Sequence, residues 1–162
     1  MKRKPEVYLT ICVFLFLMLS GCGPVSKENT ISSGENEMKF EQPGKRQAIR
    51  IIAGDTVVDG YLLENGTAQT FAKLLPLTVN LWTPIHYARA FNLSARIPDR
   101  DERTRVYEQG AIGYWYEGPS IALLYGQDEP ETAVPIVIIG YMTSNISVFE
   151  TYRETVTVEL IE

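Results

Sequence analysis

The chain has 162 residues, with 15 Lys and Arg against 20 Asp and Glu and a formal charge of −5 at neutral pH. Nucleic acid and anionic lipid headgroups are bound through basic patches, so neither is an expected partner of so acidic a polypeptide. With one histidine and two cysteines, the sequence is short of metal donors, and no Gly-x-Ser-x-Gly or His-Glu-x-x-His pattern announces a hydrolase or a zinc enzyme.

Lys2, Arg3 and Lys4 form a positive cluster, and Val7 through Leu19 is apolar apart from Thr10. This is the layout of an export signal. The apolar run falls short of the roughly 20 residues that a helix needs to cross a hydrocarbon core. Small residues follow it at once. Leu19-Ser20-Gly21-Cys22 resembles the lipobox of bacterial lipoproteins, which implies that residues 1–21 are a signal peptide and that Cys22 carries a diacylglyceryl group as the first residue of the mature protein. Cys12 would leave with the signal and Cys22 would be consumed by lipid, so no thiol remains for a disulfide. Stable anchoring takes more than one acyl chain. The expected placement is therefore extracytoplasmic, held through Cys22 to the bacterial cell membrane or outer membrane. Residues 1–21 carry three basic side chains and one acidic one, which leaves a mature balance of −7.

Residues 22–47 are rich in Ser, Glu, Asn, Gly and Lys. So few apolar side chains cannot offset the entropy of ordering, and the segment reads as a flexible tether. Some 25 residues of this kind would let a domain float about 25–30 Å from its anchor. Residues 48–162 suffice for one compact domain with one core.

Within that domain, Ile49, Ile51 and Ile52 predict a strand that turns at Gly54-Asp55 into a hairpin partner over Thr56–Leu63. Ala68, Phe71, Ala72 and Leu75 recur at helical spacing after Asn65-Gly66, and Pro76 forbids continuation. Leu77, Val79 and Leu81 alternate with polar residues, as in a half-buried strand. Between Thr83 and Arg105 the pattern is weak, and Asp99 through Arg105, with three charges of each sign, reads as a solvated loop. Ala111–Tyr116 and Ser120–Tyr125 flank Glu117-Gly118-Pro119 as a tight hairpin. Val134–Met142 is apolar on both pleat faces, as in a central strand. A second short helix is expected after Thr143, Ser144 or Asn145, with Val148, Phe149 and Tyr152 facing inward. Thr155 through Leu160 alternates as a final strand. Six or more strands with two covering helices point to a mainly β domain closed into a barrel, since closure removes exposed edges.

The order of these elements resembles that of bacterial cyclophilin-like domains. Glu64 through Leu77 resembles their first capping helix, Tyr107 through Trp115 their Gly-Asp-Ile-Ala-Tyr-Trp-like strand, and Pro135 through Ser144 the strand that leads into their second. The resemblance implies an eight-stranded barrel capped by two short α-helices. True cyclophilins, which isomerise Xaa-Pro bonds, use an Arg to stabilise the twisted imide and an aromatic pocket to hold the proline. Here the corresponding region runs from Trp82 to Leu93, where Arg89 and Phe91 are the nearest equivalents, but no Gln and no Gly-Gly-Asp follow. Gly118-Pro-Ser-Ile-Ala-Leu-Leu replaces their Gly-Ser-Gln-Phe-Phe segment. The expected function is therefore binding without catalysis, with no catalytic residue, and a prolyl isomerase acting on exported proteins is the alternative.

The candidate ligand platform is a rim of Trp115, Tyr125, His86 and Arg89, because Tyr114, Trp115, Tyr116 and Tyr125 crowd two neighbouring strands and some must point outward. Its ligand, whether peptide, protein or small molecule, is not specified by these residues. Neither metal nor cofactor is expected. No glycine loop is present to cradle a phosphate, so any flavin would belong to a redox partner.

Overall fold

The computed structural model describes residues 46–161. The expected signal and lipidation site, and the expected tether of residues 22–47 as far as residue 45, lie outside the described residues, while Gln47 at its end already belongs to the first strand. The strands are β1 (Gln47–Ala53), β2 (Thr56–Leu62), β3 (Leu77–Asn80), β4 (Trp82–Ile85), β5 (Ala88–Asn92), β6 (Thr104–Val106), β7 (Ala111–Trp115), β8 (Ser120–Leu124), β9 (Glu131–Met142) and β10 (Thr155–Leu160). One α-helix, α1 (Gly66–Ala72), follows β2.

Period-two burial organises the sheet. Ile49, Ile51 and Ala53 of β1 are buried, opposite Val58 and Leu62 of β2 and Val156 and Val158 of β10. The β1–β2 hairpin pairs Ile51 with Val58, and β10 pairs Val158 with Ile51 from the other side. The hydrogen-bonded order runs β3-β10-β1-β2-β9-β7-β8-β5-β4, with β6 attached to β9. Against the expected closed barrel, no ladder joins β3 to β4 among the described residues, and the sheet is open. The reason lies in the chain. Both edge strands belong to one extended segment bent at Leu81, whose first half pairs with β10 and whose second half pairs with β5, and the single residue between them is too short a link for the two halves to fold back on each other as a hairpin.

Helix α1 plugs the main core with Ala68, Phe71 and Ala72. Asn65 caps it, its side-chain oxygen accepting from the Ala68 amide at 2.8 Å. A second acceptor comes from the charged stretch read as solvated. The Asp101 carboxylate takes the Thr67 amide at 2.7 Å and the Thr67 hydroxyl at 2.6 Å, and it holds the Gly66 amide at 3.3 Å. These bonds hold its pKa below the usual carboxylate range, the Thr67 hydroxyl contributing most.

The second expected helix is a five-residue 3-10 turn, Ile146–Glu150, with Phe149 buried. Asn145 does not cap it. Its backbone is left-handed (φ 51°), and its side-chain amide donates to the Val57 carbonyl at 2.8 Å. Without that cap, five residues that include β-branched Ile146 and Val148 fall below the length at which an α-helical nucleus pays.

Candidate functional site

Strands β5 and β8 have two unlike faces. Arg89, Phe91, Ile121 and Leu123 point one way, the last three into the main core. Ala88, Ala90, Ser120, Ala122 and Leu124 point the other way and line an apolar groove of about 280 Å³. The register puts Ala90 opposite Ala122 and Ala88 opposite Leu124, so small side chains meet across the strands and leave the floor low.

The walls come from elsewhere. Trp82, Pro84 and Ile85 of β4 stand on one side, and Thr132, Ala133, Val134 and Ile136 of β9 on the other. The first half of β9 pairs with β6, while β7 pairs with its second half after a register shift at Ile112/Gly113. The first half becomes an arm over the face of β7, and a Cβ on residue 113 would stand too close to Ile136 Cδ1, so any side chain there would make Ile136 give way. Thr132 ties the arm to β6, its hydroxyl donating to the Arg105 carbonyl at 3.1 Å while Arg105 Nε donates to the Thr132 carbonyl at 2.9 Å.

Trp115 and Tyr87 complete the lining. The Trp115 indole lies flat against Gly118, at which any Cβ would enter the ring. Trp82 is 39% exposed, and its Nε1 donates to Asn92 Oδ1 at 3.2 Å. Both tryptophans of the chain thus line this groove. Behind its Tyr87 side, Tyr87 stacks on Tyr107 with ring centroids 5.6 Å apart. Burial pushes both phenols up in pKa. The Tyr87 hydroxyl donates to the Glu131 carbonyl at 3.4 Å, whereas the buried Tyr107 hydroxyl has no partner among the described residues.

The structure does not bring together the four residues expected to line one rim. Trp115 is in the groove. Arg89, 1% exposed, points through the sheet to the other side. It spends its donors on carbonyls, with Nε to Tyr152 at 3.1 Å, Nη2 to Glu150 at 2.9 Å and Nη1 to Ala88 at 3.3 Å. Nη1 also reaches the Tyr125 hydroxyl at 3.0 Å, and that hydroxyl donates to the His86 carbonyl. Arg89 is therefore a buried strut rather than a groove residue. Its side follows from the pleat, since it stands between Ala88 and Ala90. His86 and Tyr125 line a separate polar recess of about 350 Å³ with Gln109, Asp128 and Glu150. There His86 Nε2 lies 3.6 Å from Asp128 Oδ2, both side chains being exposed.

The floor and the walls of the groove are not among the residues expected from the sequence. A signal was there, in Ala88-x-Ala90 and Ser120-x-Ala122, where small residues recur with a period of two on strands that turn out to be neighbours. Among the described residues no cluster of three metal-ligating side chains occurs, and no helix is long and apolar enough to cross a membrane.

Comparison with known proteins agrees with this architecture. The solution structure of the hypothetical protein AF2241 from Archaeoglobus fulgidus is similar at 21% identity and a TM-score of 0.59, covering 72% of this chain and 95% of that one. No match is found among curated proteins. The family model described as the cyclophilin-like family matches residues 51–161. Those residues hold every strand except the first part of β1, and the chain belongs to the cyclophilin-like family.

Proposed function

We propose that this protein is an extracytoplasmic lipoprotein, anchored through Cys22, whose cyclophilin-like domain captures an apolar segment of a partner polypeptide in the groove between β4 and the β9 arm, without chemistry of its own. One observation carries the binding part: an open apolar groove floored by alanines, with both indoles in its lining. Exposed apolar concavities of this kind mark binding sites. The anchoring part rests on the arrangement of residues 1–22 in the sequence.

Prolyl isomerisation is the alternative, and the direction of Arg89 speaks against it. A guanidinium that stabilises a twisted imide must face the bound peptide, and this one faces carbonyls on the other side of β5.

Because both tryptophans line the groove, intrinsic fluorescence reports on it directly. An apolar peptide should shift the emission saturably to the blue. Ala122→Phe, which fills the floor, should abolish the shift. An unchanged spectrum up to millimolar peptide refutes the reading, and acceleration of proline isomerisation in a model peptide would establish the alternative. Mass spectrometry of the mature amino terminus tests the anchor: an unacylated Cys22, or a chain that still begins at Met1, removes it.

A further inference from the structure

The surroundings of the groove differ in charge from place to place. Around Trp115 the charges are matched. Arg103 Nη2 pairs with Asp99 at 2.6 Å and its Nη1 with Glu117 at 2.8 Å, and Arg96 is occupied with the carbonyls of Tyr116 and Glu117 at 3.1 Å. Around Tyr87 they are not matched. The loop after β8 and the first residue of β9 bring Glu129 and Glu131 to this side, with Asp128 beside them in the neighbouring recess, and the loop is tied down by the Tyr87 carbonyl, which accepts from the Tyr125 and Gly126 amides at 3.1 Å. Two cationic or titratable neighbours face the three carboxylates. Arg105 Nε is 3.5 Å from Glu131 Oε2, and His86 is 3.6 Å from Asp128. Glu129 has no ion-pair partner among the described residues, and its charge adds to burial in pushing up both the Tyr87 and Tyr107 phenols.

The mode of binding is constrained as well. Pro84 removes a backbone donor from β4 and the β4–β5 register is irregular between Trp82 and Ile85, so strand addition along that edge is blocked and side chains must do the holding.

Building on the groove reading above, we propose that the favoured occupant is a polypeptide segment in which apolar side chains lie within a few residues of a Lys or Arg, the apolar part between Trp82 and Trp115 and the cation against the Asp128–Glu131 loop. Electrostatic complementarity at a groove end selects among apolar segments that the groove alone would hold equally.

The test uses the full chain in phosphatidylcholine nanodiscs, which keep detergent out of the groove, with tryptophan emission as the readout. Three blocked peptides share the core Ala-Leu-Ala-Leu-Ala and are flanked on both sides by Lys, Gln or Glu. At low salt the Lys peptide should bind about tenfold more tightly than the Glu peptide, with Gln between them. The double variant Glu129→Gln/Glu131→Gln should bring that ratio close to one while the Gln peptide binds as before. Equal affinity of the Lys and Glu peptides for the unaltered chain overturns the cation preference and leaves the groove reading standing. If the preference survives in the double variant, the assigned loop is wrong. If none of the three peptides binds, the groove reading itself falls.

Discussion

Replacing Arg89 by Met separates a strut from a catalytic group. The substitution keeps an unbranched apolar stem, shorter than arginine by the end of the guanidinium, and removes its donors, stranding the carbonyls of Glu150 and Tyr152 and taking one partner from the Tyr125 hydroxyl. Two contributions oppose each other. Taking a guanidinium out of water is costly, and among the described residues no carboxylate pairs with this one, so its removal recovers part of that cost. Each stranded buried acceptor, however, costs about 1–3 kcal/mol. The two carbonyls are only partly buried, which puts them at the low end of that range, and Tyr125 keeps its bond to His86. The stacking of Arg89 over the Tyr125 ring, 4.9 Å from its centroid, adds a smaller loss of about 0.5–1 kcal/mol. The balance is a destabilisation of about 1–3 kcal/mol, or a melting temperature lower by about 5–10 °C for a domain of this size. Urea unfolding followed by circular dichroism measures it. Below the transition, peptide binding to the groove should be unchanged, because the lost group faces the other side of β5. A variant as stable as the parent, or one that is folded yet no longer binds peptide, would refute the assignment.

Other perturbations probe other joints. Asp101→Asn should cost about 1 kcal/mol at neutral pH, as loss of a capping carboxylate does. The folded pKa of Asp101 is depressed. The parent's advantage is therefore complete above the unfolded value of about 3.9 and fades as the pH falls through the lower, folded one, so urea midpoints of parent and variant should converge in acid. Gly113→Ala should displace Ile136 and the β9 arm, costing about 1–3 kcal/mol in urea unfolding and weakening peptide binding in parallel. Loss of stability with full binding would show that the arm is not a wall. Tyr114 gives and receives at Ile97, at 3.2 Å to its carbonyl and 3.0 Å from its amide. Tyr114→Phe should therefore cost about 1–3 kcal/mol by leaving that buried pair unmet, and accelerated amide exchange at Ile97 would locate the damage.

Where the fold was legible, a single strand or helix carried its own signal. The alternation of β1, β2, β3 and β10 and the helical spacing of α1 are local patterns, and the structure has them at the expected places. What failed was longer in range. Closure depended on which strand meets which, and nothing in residues 77–85 announces that one bent segment serves both edges. The groove depended on a register between β5 and β8 that brings alanines together, a relation between segments about thirty residues apart. Arg89 was misplaced for the opposite reason. A guanidinium near aromatic residues suggests a ligand contact, yet the pleat assigns it inward by its neighbours Ala88 and Ala90.

The bend at Leu81 leaves the sheet in an unusual topological position. Its two rims are successive stretches of main chain, so covalent bonds complete a ring that hydrogen bonds leave unfinished. Leu81 itself is buried and its amide donates to the Glu154 carbonyl at 3.2 Å, which fastens this one-residue link to the segment leading into β10. A cut there would remove the covalent link between the two edges, and with β4 blunted by Pro84 the β3 edge would be the one left open to another chain. The integrity of a single peptide link thus stands in for an entire missing ladder.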